Sequence, residues 1–408
     1  MAHNKPSRRV FVKSMLAATA ALSCNRPSQQ RRHVVVVGAG AFGGWTALYL
    51  LRGGARVTLI DAWGPGNARA SSGGETRVIR AVYGPDRPYV ELVARALRLW
   101  REHERRWQRR LFYPIGVLWM AGQDDTYERA ALPIVRDAGL EIEELDVAAV
   151  ARRYPQINFE GVRWALHEPY AGYLTARLAC EAVLEAFLAE GGEYRQTWAR
   201  VAEQAGELQG VSLSDGSTLT ADRYVFACGP WLGKIFPAEF GERIRPTRQE
   251  VFYFGTPPGD PRFNEESLPA WIDNGPQLFY GIPGNRWRGF KVADDTRGAD
   301  FDPTDGDRTP SLDATRAARV YLARRFPALN TAPLLEARVC QYENSPDGHY
   351  IIDRHPSATN AWVIGGGSGH GFKVGPALGE LVAPLVLEDS EPPPFFSLDR
   401  LAPLPSSK

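Results

Sequence analysis

The stretch "RRHVVVVGAGAFGGWTALYLLRGGARVTLID" (residues 31–61) decides the fold. Val34 to Val37 is a continuous β-branched run, suited to a strand buried on both faces. Gly38, Gly40 and Gly43 follow at G-x-G-x-x-G spacing, and Trp45 to Leu51 reads as an apolar helix. A second strand, Arg56 to Ile60, ends in Asp61. The glycines permit a tight turn, close approach of a pyrophosphate and close helix–strand packing. Free N–H groups at the helix start suit phosphates, and the acid suits a ribose hydroxyl. Strand, glycine turn, helix and acid in this order predict a dinucleotide-binding α/β domain. The motif alone does not distinguish NAD from FAD.

Two further segments extend the pattern. "ARASSGGETRVIRAVYG" (residues 68–84) is rich in small residues and then places Arg77 and Arg80 three apart; on a helix those positions share a side. Far downstream, "WVIGGGSGHGFKVGPALGELVAPL" (residues 362–385) again reads strand, glycine turn, helix. Two such turns more than 300 residues apart predict one cofactor domain assembled from distant segments.

Composition narrows the partners. The 408 residues are long enough for two or more lobes, with 44% hydrophobic and 23% charged residues. Lys plus Arg is 48 and Asp plus Glu 47, a formal charge of +1, which gives no electrostatic reason to propose nucleic acid or an anionic membrane. No apolar run reaches the roughly 18–20 residues of a membrane-spanning helix. The seven histidines show no ligand spacing such as H-E-x-x-H, so no metal site is expected. Ser7-Arg8-Arg9-Val10-Phe11-Val12-Lys13 resembles a twin-arginine export motif, followed by a mildly apolar stretch from Met15 to Leu22. The expected location is therefore the periplasm or beyond. Cys24 is a weak candidate for a lipid anchor.

"VVVGAGAFGG", "LIDAWGP", "SSGGETRVIRAVYG", "FACGPWLGK", "LFYGIPGNRWRGFKV", "CQYENSPDGHYIID" and "GGGSGHGFK" together resemble the monomeric sarcosine oxidase and N-methyltryptophan oxidase family. These are FAD-dependent amine oxidases within the D-amino-acid-oxidase-like superfamily. The matching stretches run in family order over roughly residues 32–402. The resemblance implies a Rossmann-like FAD-binding domain built from about 31–113, 162–245 and 335–402. A second, mixed α+β substrate domain would comprise 114–161 and 246–334, with residues 1–30 as signal region and 403–408 as tail. It implies a monomer acting on a small amine or N-substituted amino acid, with oxygen as acceptor and hydrogen peroxide as product.

It also implies roles. FAD would contact Gly38, Gly40, Ala41, Phe42, Gly43, Asp61 and Ala62 at the first turn, then Ser71, Ser72 and Arg77, Ala227, Gly229 and Trp231, and finally Gly369, His370, Gly371, Phe372 and Lys373. Backbone amides from Gly369 to Lys373 would stabilise negative charge on the reduced ring. Cys340 would form a thioether with the ring, whereas Cys180 and Cys228 read as core. Arg80 and Lys373 would clamp a substrate carboxylate, Tyr342 would border the substrate, and Lys291 would favour reaction of the reduced flavin with oxygen. One departure stands out. Sarcosine oxidases carry a histidine four residues beyond this lysine, where this chain has Asp295, preceded by Asp294. A carboxylate there would attract an ammonium group, a hydroxyl-rich substrate or Lys291 itself. Oxidases of fructosyl amino acids also place acids after the lysine, so a larger N-substituted amino acid or an Amadori-type amine is expected rather than sarcosine. Two other readings remain open: a flavin dehydrogenase serving an exported electron carrier, and a flavin-binding sensor without turnover.

Overall fold

The run Val34–Val36 is wholly buried, because His33–Val37 lies near the middle of a six-stranded sheet. The computed structural model describes residues 31–201, 206–285 and 288–401; the export motif, Cys24 and the 403–408 tail lie outside the described residues. Five strands of this sheet are parallel, in the order Ala358–Gly365, Arg223–Phe226, His33–Val37, Arg56–Asp61 and Glu193–Gln196. Ile351–His355 pairs antiparallel at one edge. The helix Ala41–Arg52 connects the first two strands, and it packs against the helix Gly375–Glu388 from the far end of the chain. Glycine makes that approach possible: a Cβ at Gly379 would lie 2.7 Å from the Trp45 backbone. Segments more than 300 residues apart thus build one layer.

An eight-stranded mixed sheet forms the second large element, in the order Leu334–Asn344, Arg245–Phe254, Phe290–Asp294, Leu278–Ile282, Ala270–Asn274, Val117–Ala121, Trp164–Glu168 and Glu143–Asp146. Its neighbours are antiparallel except for Ala270–Asn274 beside Val117–Ala121. Trp164–Glu168 and Leu334–Asn344, which the segment boundaries above group with the cofactor domain, hydrogen-bond into this sheet. The described residues from Arg32 onward form one compact unit. Leu334–Asn344 therefore carries Cys340 and Tyr342 from the second sheet toward the first.

The helical reading of Arg77 and Arg80 is corrected. Thr76–Ile79 is a strand, paired antiparallel with Gly172–Thr175. Its backbone bonds go to that neighbour, and the chain leaves the strand before Arg80. Among the described residues no helix is long and apolar enough to cross a membrane, and no group of three His, Cys, Asp or Glu is placed to hold a metal.

Candidate active site

The parallel strands end together at one edge of the six-stranded sheet. Gly38 follows His33–Val37, Asp61 closes Arg56–Asp61, Ala227 follows Arg223–Phe226, and Gly365 closes Ala358–Gly365. Open α/β sheets bind ligands at such carboxyl ends, and a cavity of about 480 Å³ lies here, of ligand size. The first turn is built around close contacts. Gly38 has φ +107, and a Cβ there would sit 2.2 Å from Ala227 O; one at Gly43 would sit 1.8 Å from Gly38 O. Gly40, Ala41 and Phe42 line the cavity at the start of Ala41–Arg52, and no side chain caps that helix. Its first N–H groups are left for a ligand, the arrangement that suits phosphate.

Asp61 is used differently from the simplest expectation. Its carboxylate accepts from Ala39 N (2.7 Å), Trp63 N (2.9 Å) and Gly64 N (2.7 Å), tying the glycine turn to the loop after the strand. Burial pushes this carboxyl up, and the three N–H groups pull it back. Lone pairs remain for a ribose hydroxyl, since a carboxylate offers about four acceptor sites. Ala62, Ser71, Ser72, Arg77, Ala227, Gly229, Trp231, Gly369, Gly371 and Phe372 also line the cavity. Trp63 and Trp198 complete an aromatic wall with Trp231, ring centroids 4.5 and 4.7 Å from Trp63.

Arg77 occupies the far end of this cavity. Its guanidinium donates to Ser71 O and Thr76 O, both at 2.9 Å, and to Gly73 O, and lies 3.9 Å from Cys340 Sγ. Cys340 itself lies beside the cavity rather than in its lining. Cys180 and Cys228 are buried, and burial raises both thiols.

A smaller chamber of about 70 Å³ shares Arg77, Gly369 and Phe372 with the large cavity and adds Arg80, Tyr280, Asp295, His370 and Lys373. Arg80 is held between aromatic faces, 4.4 Å from the Tyr83 ring and 4.8 Å from Trp119, with a single backbone acceptor at Val82 O. Lys373 Nζ donates to Tyr83 Oη and His370 O, both at 2.8 Å. Burial first, and Arg80 second, hold this ammonium well below the usual lysine range. Tyr342 donates to Asp295 Oδ1 at 2.5 Å. Burial pushes Asp295 up, while Tyr342, Arg80 and Lys373 pull it down.

The His370 ring does not enter the larger cavity. Its Nε2 lies 3.1 Å from Gly348 O, which can only accept, so Nε2 carries the proton and the single Nδ1 lone pair faces the Tyr350 hydroxyl at 3.0 Å, with that of Tyr83 at 3.3 Å. Burial holds it far below the usual histidine range, so the ring is a neutral lock on the glycine turn. Lys291 lies beneath the site, only 1% exposed, donating to Thr76 O at 3.1 Å with its Nζ 5.2 Å from the Tyr280 ring. Burial, then Arg77, push it down to about 7, against opposite pulls from Cys340 and Asp295. Sequence reasoning passed over Glu343 and Glu168. Glu343 lines the large cavity; Glu168 lies wholly buried behind Arg80, accepting from Ala81 N (2.6 Å), Trp119 Nε1 (2.9 Å) and Tyr170 Oη (2.6 Å). Neither stands out in the sequence, because the strand of Glu343 also carries Glu336, Arg338 and Gln341, and His167 precedes Glu168.

Comparison with known proteins agrees with this geometry. The profile of the family described as "DAO: FAD dependent oxidoreductase" matches residues 33–385. The chain is 30% identical over 383 residues to monomeric sarcosine oxidase of Streptomyces avermitilis, covering 91% of this chain and 98% of that protein. It is 28% identical over 384 residues to N-methyl-L-tryptophan oxidase of Salmonella arizonae, covering 90% and 96%. Among solved structures, fructosyl amine: oxygen oxidoreductase (Amadoriase I) of Aspergillus fumigatus superposes with a TM-score of 0.74 at 21% identity, covering 88% of this chain and 87% of that one. At that identity the likeness concerns the fold.

Proposed function

The chain belongs to the FAD dependent oxidoreductase family, and on that premise we propose that it oxidises the C–N bond of a secondary amine or N-substituted amino acid, giving an imine that hydrolyses. The cavity fits the cofactor: an uncapped helix start for the phosphates, an acid at the strand end, and a fixed arginine and cysteine at the ring end. When bound, FAD would supply the two-electron acceptor, with oxygen as the proposed final acceptor and hydrogen peroxide as its product.

The observation that carries the reading is the convergence of Arg80, Lys373 and Asp295 in one small chamber. Arg80 presents a planar fork and Lys373 a point charge, the pair that fixes a carboxylate. A carboxylate arriving between them also restores the Lys373 proton that burial and Arg80 disfavour. Asp295, held by Tyr342, then faces the ammonium of an amino acid and holds the proton the amine must lose before oxidation. Glu168 accepts from Trp119, the ring under Arg80, and so orients the clamp from behind. Asp295 in place of the histidine of sarcosine oxidases favours a larger or hydroxyl-bearing N-substituent, and the shared fold with a fructosyl amine oxidoreductase is in keeping with that second reading. Lys291 is assigned to the reaction with oxygen, and Cys340 to a covalent tether, supported by its place against Arg77. The twin-arginine pattern at Ser7–Lys13 supports export. The test is a panel of N-substituted amino acids, fructosyl amines and simple amines, read by flavin bleaching without oxygen and by peroxide release with it. Bleaching without peroxide moves the assignment to a dehydrogenase; no bleaching by any amine overturns it.

A further inference from the structure

Glu343 is a buried carboxyl without a counter-ion in the wall of the cofactor cavity. It is 7% exposed, and no arginine, lysine or histidine pairs with it among the described residues. Its partners are two neutral groups at long range: Ser71 Oγ donates to Oε2 at 3.3 Å and Gly367 N to Oε1 at 3.2 Å. Three loops close on it. Besides Ser71 of the small-residue loop, a Cβ at Gly229 would fall 2.6 Å from Oε2, and one at Gly367 would fall 2.8 Å from Oε1. These loops touch both the helix start and Arg77: a Cβ at Gly367 would lie 3.7 Å from Phe42 Cζ, and Arg77 donates to Ser71 O at 2.9 Å, so the carboxyl shares the cavity wall with both.

A buried carboxylate with two weak donors is poorly compensated, and the carboxylic acid is the cheaper form there. Burial pushes Glu343 up to about 7, against the Gly367 and Ser71 hydrogen bonds. Filling the cavity with a diphosphate ester removes water and adds negative charge, and both effects favour the protonated form further. The protonated acid then has one O–H to donate, which suits a hydroxyl or phosphate oxygen of the cofactor.

We propose that Glu343 holds a proton in the loaded protein and donates it as a hydrogen bond to FAD, so that cofactor binding takes up one proton at this residue. The inference rests on the family's FAD and on no choice of amine. The other titratable groups around the cavity are Asp61, Arg77, Arg200, Cys228, Lys234 and Tyr342; Lys234 is paired with Asp302, and none of the six is hydrogen-bonded to Glu343 among the described residues. Asp61 is held by three N–H groups, Cys228 is raised by burial, and Lys291 titrates near the same pH, which makes the Glu343 variant the necessary control.

The experiment follows release of FAD from the Cys340→Ser holoprotein, in which the cofactor is exchangeable, by free-flavin fluorescence on dilution at pH 6 to 9. With Glu343 present, affinity should be level at the acid end and weaken by up to about tenfold per pH unit above neutrality, as linkage to one proton requires. Glu343→Gln keeps a neutral donor and should bind FAD with the Glu343-dependent slope removed. Equal slopes in the two proteins overturn the proposal while leaving the FAD assignment intact; a protein that holds no FAD at any pH overturns both. Should Glu343→Gln fail to fold, infrared spectra of the Cys340→Ser holoprotein at pH 8 decide alone. A protonated carboxyl band that responds to FAD removal supports the proposal, and its absence refutes it.

Discussion

Replacing Lys291 by methionine should slow the reaction with oxygen and leave reduction by amine nearly unchanged. Methionine is unbranched and of similar length, so it fills the same space without the charge. A unit charge acting over about 4 Å at an effective dielectric of 20 is worth about 4 kcal/mol, roughly a thousandfold in rate, and that is a ceiling. Burial and Arg77 bring the Lys291 ammonium down to about 7, so its charge titrates within the working pH range. A negatively charged reduced cofactor moves that midpoint upward. The oxygen reaction of the unmodified enzyme should therefore be fast at pH 6 and fall by about tenfold over the two units around a midpoint at or above 7, whereas Lys291→Met should be slow and flat. The stability sign is the reverse of the kinetic one. This lysine binds its proton more weakly folded than unfolded, so its ammonium destabilises the fold fully below about pH 7, and the penalty fades as pH rises toward the unfolded value. Lys291→Met should thus melt no lower than the parent at pH 6. The assay mixes anaerobically reduced enzyme with oxygenated buffer and follows the return of flavin absorbance. Reoxidation of Lys291→Met at the parental rate, or a parental rate that climbs with pH, refutes the reasoning.

Other outcomes follow from the same geometry. The yellow colour should stay with acid-precipitated polypeptide and pass to the supernatant in Cys340→Ala; fully extractable colour in the unmodified protein removes the tether. Asp295→His exchanges the acid facing the chamber, and should raise the rate with sarcosine relative to bulkier N-substituted amines; an unchanged ratio shows that other walls set the preference. A reporter fused to residues 1–30 should reach the periplasm of a Tat-competent bacterium and be blocked by Arg8→Lys with Arg9→Lys; export in a Tat-deficient strain counts against the motif.

The cofactor half of the fold was legible because its signals are local. Val34–Val37, the three glycines and Asp61 lie within one βαβ unit, and their spacing carries the geometry. The second glycine turn could be read as a strand and helix, and its packing against the first helix followed from shared chemistry. The side chosen by a strand was less legible. Trp164–Glu168 and Leu334–Asn344 join the eight-stranded sheet because their hydrogen-bond partners are Val117–Ala121 and Arg245–Phe254, which no local pattern names. The same limit hid Glu343, whose meaning depends on three loops distant in sequence, and the His370 ring, turned toward Tyr350 and Gly348 by partners it shares no motif with. Arg77 and Arg80 show that a wrong local conformation need not separate two residues: a strand and the residue that follows it bring both to the lining of one chamber.

The central claim is that the Arg80–Lys373 chamber selects an amine by its carboxylate. The direct measurement compares the rate of anaerobic flavin bleaching by an N-substituted amino acid with that of the same amine lacking the carboxylate, in the parent and in Arg80→Ala. A charge-assisted contact of about 1.5–3 kcal/mol predicts that the parent prefers the amino acid by about ten- to a hundredfold, and that Arg80→Ala loses most of this preference. Equal bleaching of the two amines by the parent, or an undiminished preference in Arg80→Ala, would contradict the account.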